Sequence, residues 1–142
     1  MKKFMLAALL ITMTCESALG AQIFTTTIQN TTVSRAMETS LAYMTGRNFV
    51  VERLEAYTIT FRVGFDNWFG DGPRLGGSNM YVKFDFFKED DNVKLMATQF
   101  YGDPRMKHAR QRAIEPIIPL VKHIRYFIDG TPSNQVVNEA TD

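Results

Sequence analysis

Three stretches of alternating apolar residues constrain this chain more than any other feature. Tyr57, Ile59, Phe61, Val63 and Phe65 alternate with Thr58, Thr60, Arg62 and Gly64. Met80, Val82, Phe84 and Phe86 alternate with Tyr81, Lys83, Asp85 and Phe87, and Val93, Leu95, Ala97, Gln99 and Tyr101 share a face in the next run. Successive side chains of a strand point to opposite faces, so a period of two puts each apolar set on one side of a sheet. The polar turn Lys88-Glu89-Asp90-Asp91-Asn92 joins two of the runs, and a shorter strand, Phe49 to Leu54, precedes them. Together they read as an antiparallel meander.

The flanks change period. Ala21 to Gln29 is rich in Ile, Phe and Thr, good strand residues, with Phe24, Thr26 and Ile28 on one face. Asn30-Thr31-Thr32 offers turn and N-cap chemistry, and Val33, Met37, Leu41 and Met44 then follow a helical spacing up to Gly46, a natural stop. Beyond the meander, Gly102-Asp103-Pro104 breaks the sheet. Ile114, Ile117, Ile118, Val121, Ile124 and Ile128 mark a long helical stripe. Proline lacks a backbone donor, so Pro116 and Pro119 fit a helix that begins near Pro116, where donors are unpaired anyway. Asp129-Gly130-Thr131-Pro132 ends it, and residues 131–142 read as a polar, frayed tail.

The expected fold is therefore α+β, in the order β-α-β-β-β-β-α, with a meander sheet gripping a long C-terminal helix. This element order resembles the helix-grip, or TATA-binding-protein-like, architecture of several small exported bacterial domains, over Ile23 to Ile128. The resemblance implies a fold and no function, and no residue role is carried over from it.

The first twenty residues stand apart. Lys2 and Lys3 precede an apolar run, Phe4 to Met13, and Ala18-Leu19-Gly20 places small residues at −3 and −1 of a cut before Ala21. This is the pattern of a cleaved export signal, and its basic start and short length fit a bacterial one. The expectation is a periplasmic or secreted protein with a single domain over 21–130. A lipoprotein reading through Cys15 is disfavoured, because Thr12, Met13 and Thr14 make a poor lipobox. Cys15 is the sole cysteine, so the processed chain would have neither a disulfide nor a thiol. The apolar run is about ten residues, short of the roughly 20 that span a bilayer, and no later segment does so.

With 45% hydrophobic and 22% charged residues, the chain has enough apolar material for a core, which excludes a disordered tail. Removing Lys2, Lys3 and Glu16 leaves equal numbers of acids and bases, so overall charge steers no partner, and nucleic acid is not expected. Catalytic and metal motifs are missing. His108 and His123 lie among Lys107, Arg110, Lys122 and Arg125, and nearby cations oppose a metal ion. There is no Gly-x-Ser-x-Gly or Ser-x-x-Lys, and the glycines of 70–77 do not form a phosphate loop. Glu89-Asp90-Asp91 reads as a solvated turn. No cofactor or metal is expected.

Two features exceed this background as partner-binding candidates. The first is the loop around Trp68, Phe69 and Arg74, which could anchor a partner or fold back as a lid. The second is the basic stretch Arg105, Lys107, Arg110, Arg112, Lys122 and Arg125, opposed only by Glu115. It reads as cations on helix faces, suited to an anionic lipid surface or an acidic protein. A third observation concerns Tyr81, Phe87, Met96 and Phe100, opposite the main apolar sets. Either the helix over 33–45 covers that second sheet face, or the face exposes an aromatic patch for a partner or a second copy.

Two functions follow from different classes. One is an exported, non-catalytic envelope protein that binds another protein or itself. The other is a carrier of, or enzyme for, a small apolar ligand such as a lipid, with a pocket between the sheet and the C-terminal helix.

Overall fold

The computed structural model describes residues 22–63, 79–136 and 138–142. It is an α+β fold with a seven-stranded antiparallel sheet and two helices, the second C-terminal. The elements in chain order are β1 Ile23–Ile28, α1 Val33–Thr45, β2 Phe49–Leu54, β3 Thr58–Val63, β4 Met80–Glu89, β5 Asn92–Tyr101, β6 Arg110–Arg112, α2 Ile118–Asp129 and β7 Ala140–Thr141. The sheet order is β2-β3-β4-β5-β1-β7. Both β1 and β6 pair with β5: Ile23–Ile28 face Thr98–Val93, and Arg110–Arg112 face Tyr101–Gln99.

The alternation read from the sequence sets the register. Phe61 pairs with Val82, Ile59 with Phe84, and Phe84 with Ala97, so all of these fall on one face and are buried. Phe24 and Ile28 of β1 join the same face opposite Ala97 and Val93. Phe61 and Phe84 meet edge to face with ring centroids 5.5 Å apart, and Phe49 and Phe86 extend the row. Edge-to-face contact sets the positive rim of one ring against the negative face of the next.

Both helices pack on this face. Thr32 caps α1 by accepting a hydrogen bond from the Arg35 N–H at 3.2 Å, which satisfies one of the free donors of the first turn. Ala36, Met37, Ser40 and Met44 turn inward, and the Ser40 hydroxyl donates to the Ala36 carbonyl at 2.7 Å. Gly46 follows the helix with φ −63°, while the left-handed residue is Asn48 at φ 64°. In α2, Leu120, Val121 and Ile124 are buried, preceded by Ile114 and Ile117. The helix begins at Ile118, so Pro119 alone lies in its first turn and Pro116 stands in the turn before it. Gly130, at φ 75°, closes α2 by donating its N–H to the Tyr126 carbonyl at 2.9 Å. An L residue with a Cβ pays a penalty for that left-handed conformation, and glycine does not.

Three expectations need correction. α1 does not cover the second face of the sheet: its buried residues belong to the same core cluster as those of α2. The residues after the break at Gly102 are not helical until Ile118. Instead they form turns over 103–108 and then β6. The tail is not loose, because Ala140 and Thr141 pair with Thr25 and Phe24, and the Asp142 carbonyl accepts from the Ile23 N–H at 2.9 Å.

Candidate functional site

The cationic stretch divides into locked and free groups. Arg105 is locked. Its Nε donates to both carboxylate oxygens of Asp103 at 3.0 Å, a second guanidinium nitrogen contacts Oδ2, and its backbone N–H donates to Oδ1 at 3.0 Å. These bonds hold the Asp103 carboxyl well below its ordinary value, at about 2. Lys122 lies 3.5 Å from Glu139, and Arg125 is completely buried. The expectation that Lys122 and Arg125 belong to an exposed basic helix face is thus corrected.

Lys107, Arg110 and Arg112 remain. All three are exposed, and none has an ion-pair partner among the described residues. They sit on a short excursion whose shape follows from its turns. Gly102, at φ 86°, turns the chain out of β5, and its N–H bonds the Asn79 carbonyl. The Met106 N–H donates to the Asp103 carbonyl, and the Ala109 N–H to the Met106 carbonyl, so two successive turns shape residues 103–109. Met106, between the two turns, is 64% exposed. The chain then returns as β6. Arg110 and Arg112 are two residues apart on a strand and so share a face. The Arg112 guanidinium lies 5.5 Å from the ring centroid of Tyr101, itself 43% exposed.

The base of the excursion crosses the outer face of the sheet. Asp103, Pro104 and Arg105 bound a small crevice with Glu52, Arg53, Glu55, Thr60 and Lys83. Thr60 and Thr98 point away from the core yet are buried. On this face Tyr81 and Phe100 stand opposite each other in the register, and they and Met96 are half-buried, while Phe87 is exposed.

Two further surfaces stand out. On the helix layer, the Tyr43 hydroxyl lies 3.0 Å from His123 Nδ1 and donates to it when the imidazole is neutral with its proton on Nε2. Burial pushes the Tyr43 phenol up, although the Arg47 guanidinium sits 4.8 Å from its ring. Phe127, 63% exposed, packs between Tyr43 and Tyr126. At one end of the sheet, the start of α1, Tyr57 and the β4–β5 hairpin enclose an open cleft of about 790 Å³, walled by Val33, Tyr57, Phe86 and Phe87 and rimmed by Lys88, Asp90 and Asp91. Sequence reading missed this cleft. Asn30-Thr31-Thr32 and Asp90-Asp91 were visible as turns, but only the register of Ile28 against Val93 brings them together.

Trp68, Phe69 and Arg74 lie outside the described residues. His108 stands exposed in the excursion, and Glu89 pairs with Lys94 at 2.7 Å beside the hairpin turn. Among the described residues, no group of three or more His, Cys, Asp or Glu side chains is placed to hold a metal ion, and no helix is long and apolar enough to cross a membrane. No family model, curated protein or solved structure matches this chain.

Proposed function

We propose that this chain is an exported, non-catalytic binding protein of the cell envelope that docks on an anionic partner through the excursion between β5 and α2. The observation that carries this reading is the set of three exposed cations, Lys107, Arg110 and Arg112, which have no ion-pair partner among the described residues, while Asp103 is occupied by Arg105. Other surface cations are held in ion pairs, as in Arg62–Glu52, Lys83–Asp85 and Lys94–Glu89. The Lys2-Lys3 start and the Ala18-Leu19-Gly20 signature support export. The test compares capture from an envelope fraction by wild type and by the Lys107→Gln/Arg110→Gln/Arg112→Gln variant. A salt-sensitive bound component should be lost from the variant, and equal capture by both would overturn the reading.

A second reading, a carrier of a small apolar ligand, is favoured by the cleft beside Tyr57 and Phe87. Its place differs from the expected one between the sheet and α2, where Ile117, Val121 and Ile124 fill the interface. Binding of an environment-sensitive apolar dye that weakens in Tyr57→Ser and Phe87→Ser would support the carrier reading, and binding unaffected by both would oppose it.

A further inference from the structure

We infer that the occupant of the cationic excursion is a lipid bilayer surface carrying anionic headgroups, with Met106 entering the headgroup layer. The inference rests on the docking reading above and names its partner.

Charge complementarity is the first argument. Residues 106–112 contain Lys107, Arg110 and Arg112 and no acid, and all three cations are exposed. Each cation close to an anionic bilayer raises partitioning about fivefold, and the effect needs no specific geometry from the partner. The arrangement suits a plane. Lys107 stands in the turn and Arg110 and Arg112 follow on one face of a short strand, so three exposed cations fall within six residues.

The apolar groups are the second argument. A stable protein interface buries about 800 Å² on each side around an apolar, aromatic core, from which lysine is depleted. The excursion instead presents one flexible, unbranched and exposed side chain, Met106, in its turns, flanked in sequence by Arg105, Lys107 and His108. One exposed apolar side chain, close in sequence to three cations unpaired among the described residues, suits an interface whose outer layer is anionic and whose inner layer is apolar. Tyr101 adds an amphipathic ring under Arg112, a residue type enriched at the headgroup level.

The test uses the full-length chain and vesicles of phosphatidylcholine with or without phosphatidylglycerol. Partitioning onto the anionic vesicles should fall about a hundredfold in Lys107→Gln/Arg110→Gln/Arg112→Gln and should fall with added salt. The charge-preserving variant Lys107→Arg/Arg110→Lys/Arg112→Lys should bind like wild type, which a fork-specific protein contact would not tolerate. The apolar run Phe4 to Met13 is common to all variants, so a site-specific readout is added. In the Cys15→Ser/Met106→Cys chain, an environment-sensitive dye on residue 106 should shift to the blue with anionic vesicles and stay unchanged with neutral ones. Near-ultraviolet circular dichroism verifies that each variant is folded. An unshifted dye, or a glutamine variant that partitions like wild type, overturns the inference. If those results accompany a charge-dependent capture of an envelope protein, the lipid assignment falls and the docking reading stands; if the capture is also charge-independent, both fall.

Discussion

Arg125 is completely buried, and the carboxylate that neutralises it belongs to Glu139, fourteen residues further along a chain that returns to pair with β1. The same guanidinium donates to Thr26 Oγ1 and to the Gln135 carbonyl, each at 2.8 Å. One side chain thus ties α2, β1 and the C-terminal segment together. A charge taken out of water is costly unless it is paired and hydrogen-bonded, so the return of the tail is a condition for burying Arg125.

Removing one member of this pair should therefore cost more than removing both. Glu139→Gln is expected to destabilise the fold by about 3 kcal/mol, because it leaves a buried cation with neutral partners only. Combining it with Arg125→Met should recover most of that loss. Urea unfolding of the two variants reads the difference, and a Glu139→Gln midpoint equal to wild type would show that the tail contributes no stability.

Phe61→Ala and Phe84→Ala should each cost about 3–5 kcal/mol, since each deletes a fully buried ring from the centre of the sheet. The rings touch edge to face, so the double variant should cost less than the sum of the singles by about 1 kcal/mol. Strict additivity in denaturant unfolding would show that the two rings do not act on each other.

The Asp103 carboxyl should titrate at about 2 instead of 3.8, because Arg105 hydrogen-bonds its charged form. A depressed carboxylate stabilises the folded state above its unfolded value, and this contribution is lost as pH falls from about 4 toward about 2. The pair is exposed to solvent, so its effect is local and weakened by salt. Carbon NMR of the carboxyl should follow this midpoint, and Arg105→Gln should return it to the ordinary range. An unshifted midpoint in the wild-type chain would remove the lock at the base of the excursion.

Intact mass of the exported protein should correspond to a chain starting at Ala21, the residue after Ala18-Leu19-Gly20. An acylated N-terminus at Cys15 would reverse the assignment to a lipoprotein.

The sheet was legible because burial on one face imposes a period of two. Val82, Phe84 and Phe86 are buried, as are Val93, Leu95 and Ala97, just as their alternation implies. β6 and β7 were not legible: Arg110-Gln111-Arg112 and Ala140-Thr141 carry no apolar period, and only the open flanks of β5 and β1 recruit them. Its neighbours in sequence make Arg125 read as a surface cation, although it follows Val121 by four residues and so lies on the buried face of the same helix. Its partner could not be found in this way, because Glu139 pairs through a tertiary return of the chain. At the candidate site, the identity of the cations was plain from the sequence. Whether each was locked or free depended on turns that place Asp103 under Arg105.

The pairing of β1 with β5 also orders events in time. Ile23 faces Thr98 and Ile28 faces Val93, so β1, the first strand among the described residues, has no neighbour until the meander behind it is complete. Closing so long a loop delays the reward for ordering the chain, and such topologies fold slowly. Under the export proposed above, a chain that threads a channel in extended form would gain from that delay, since β1 has nothing to fold against while the rest is still passing through.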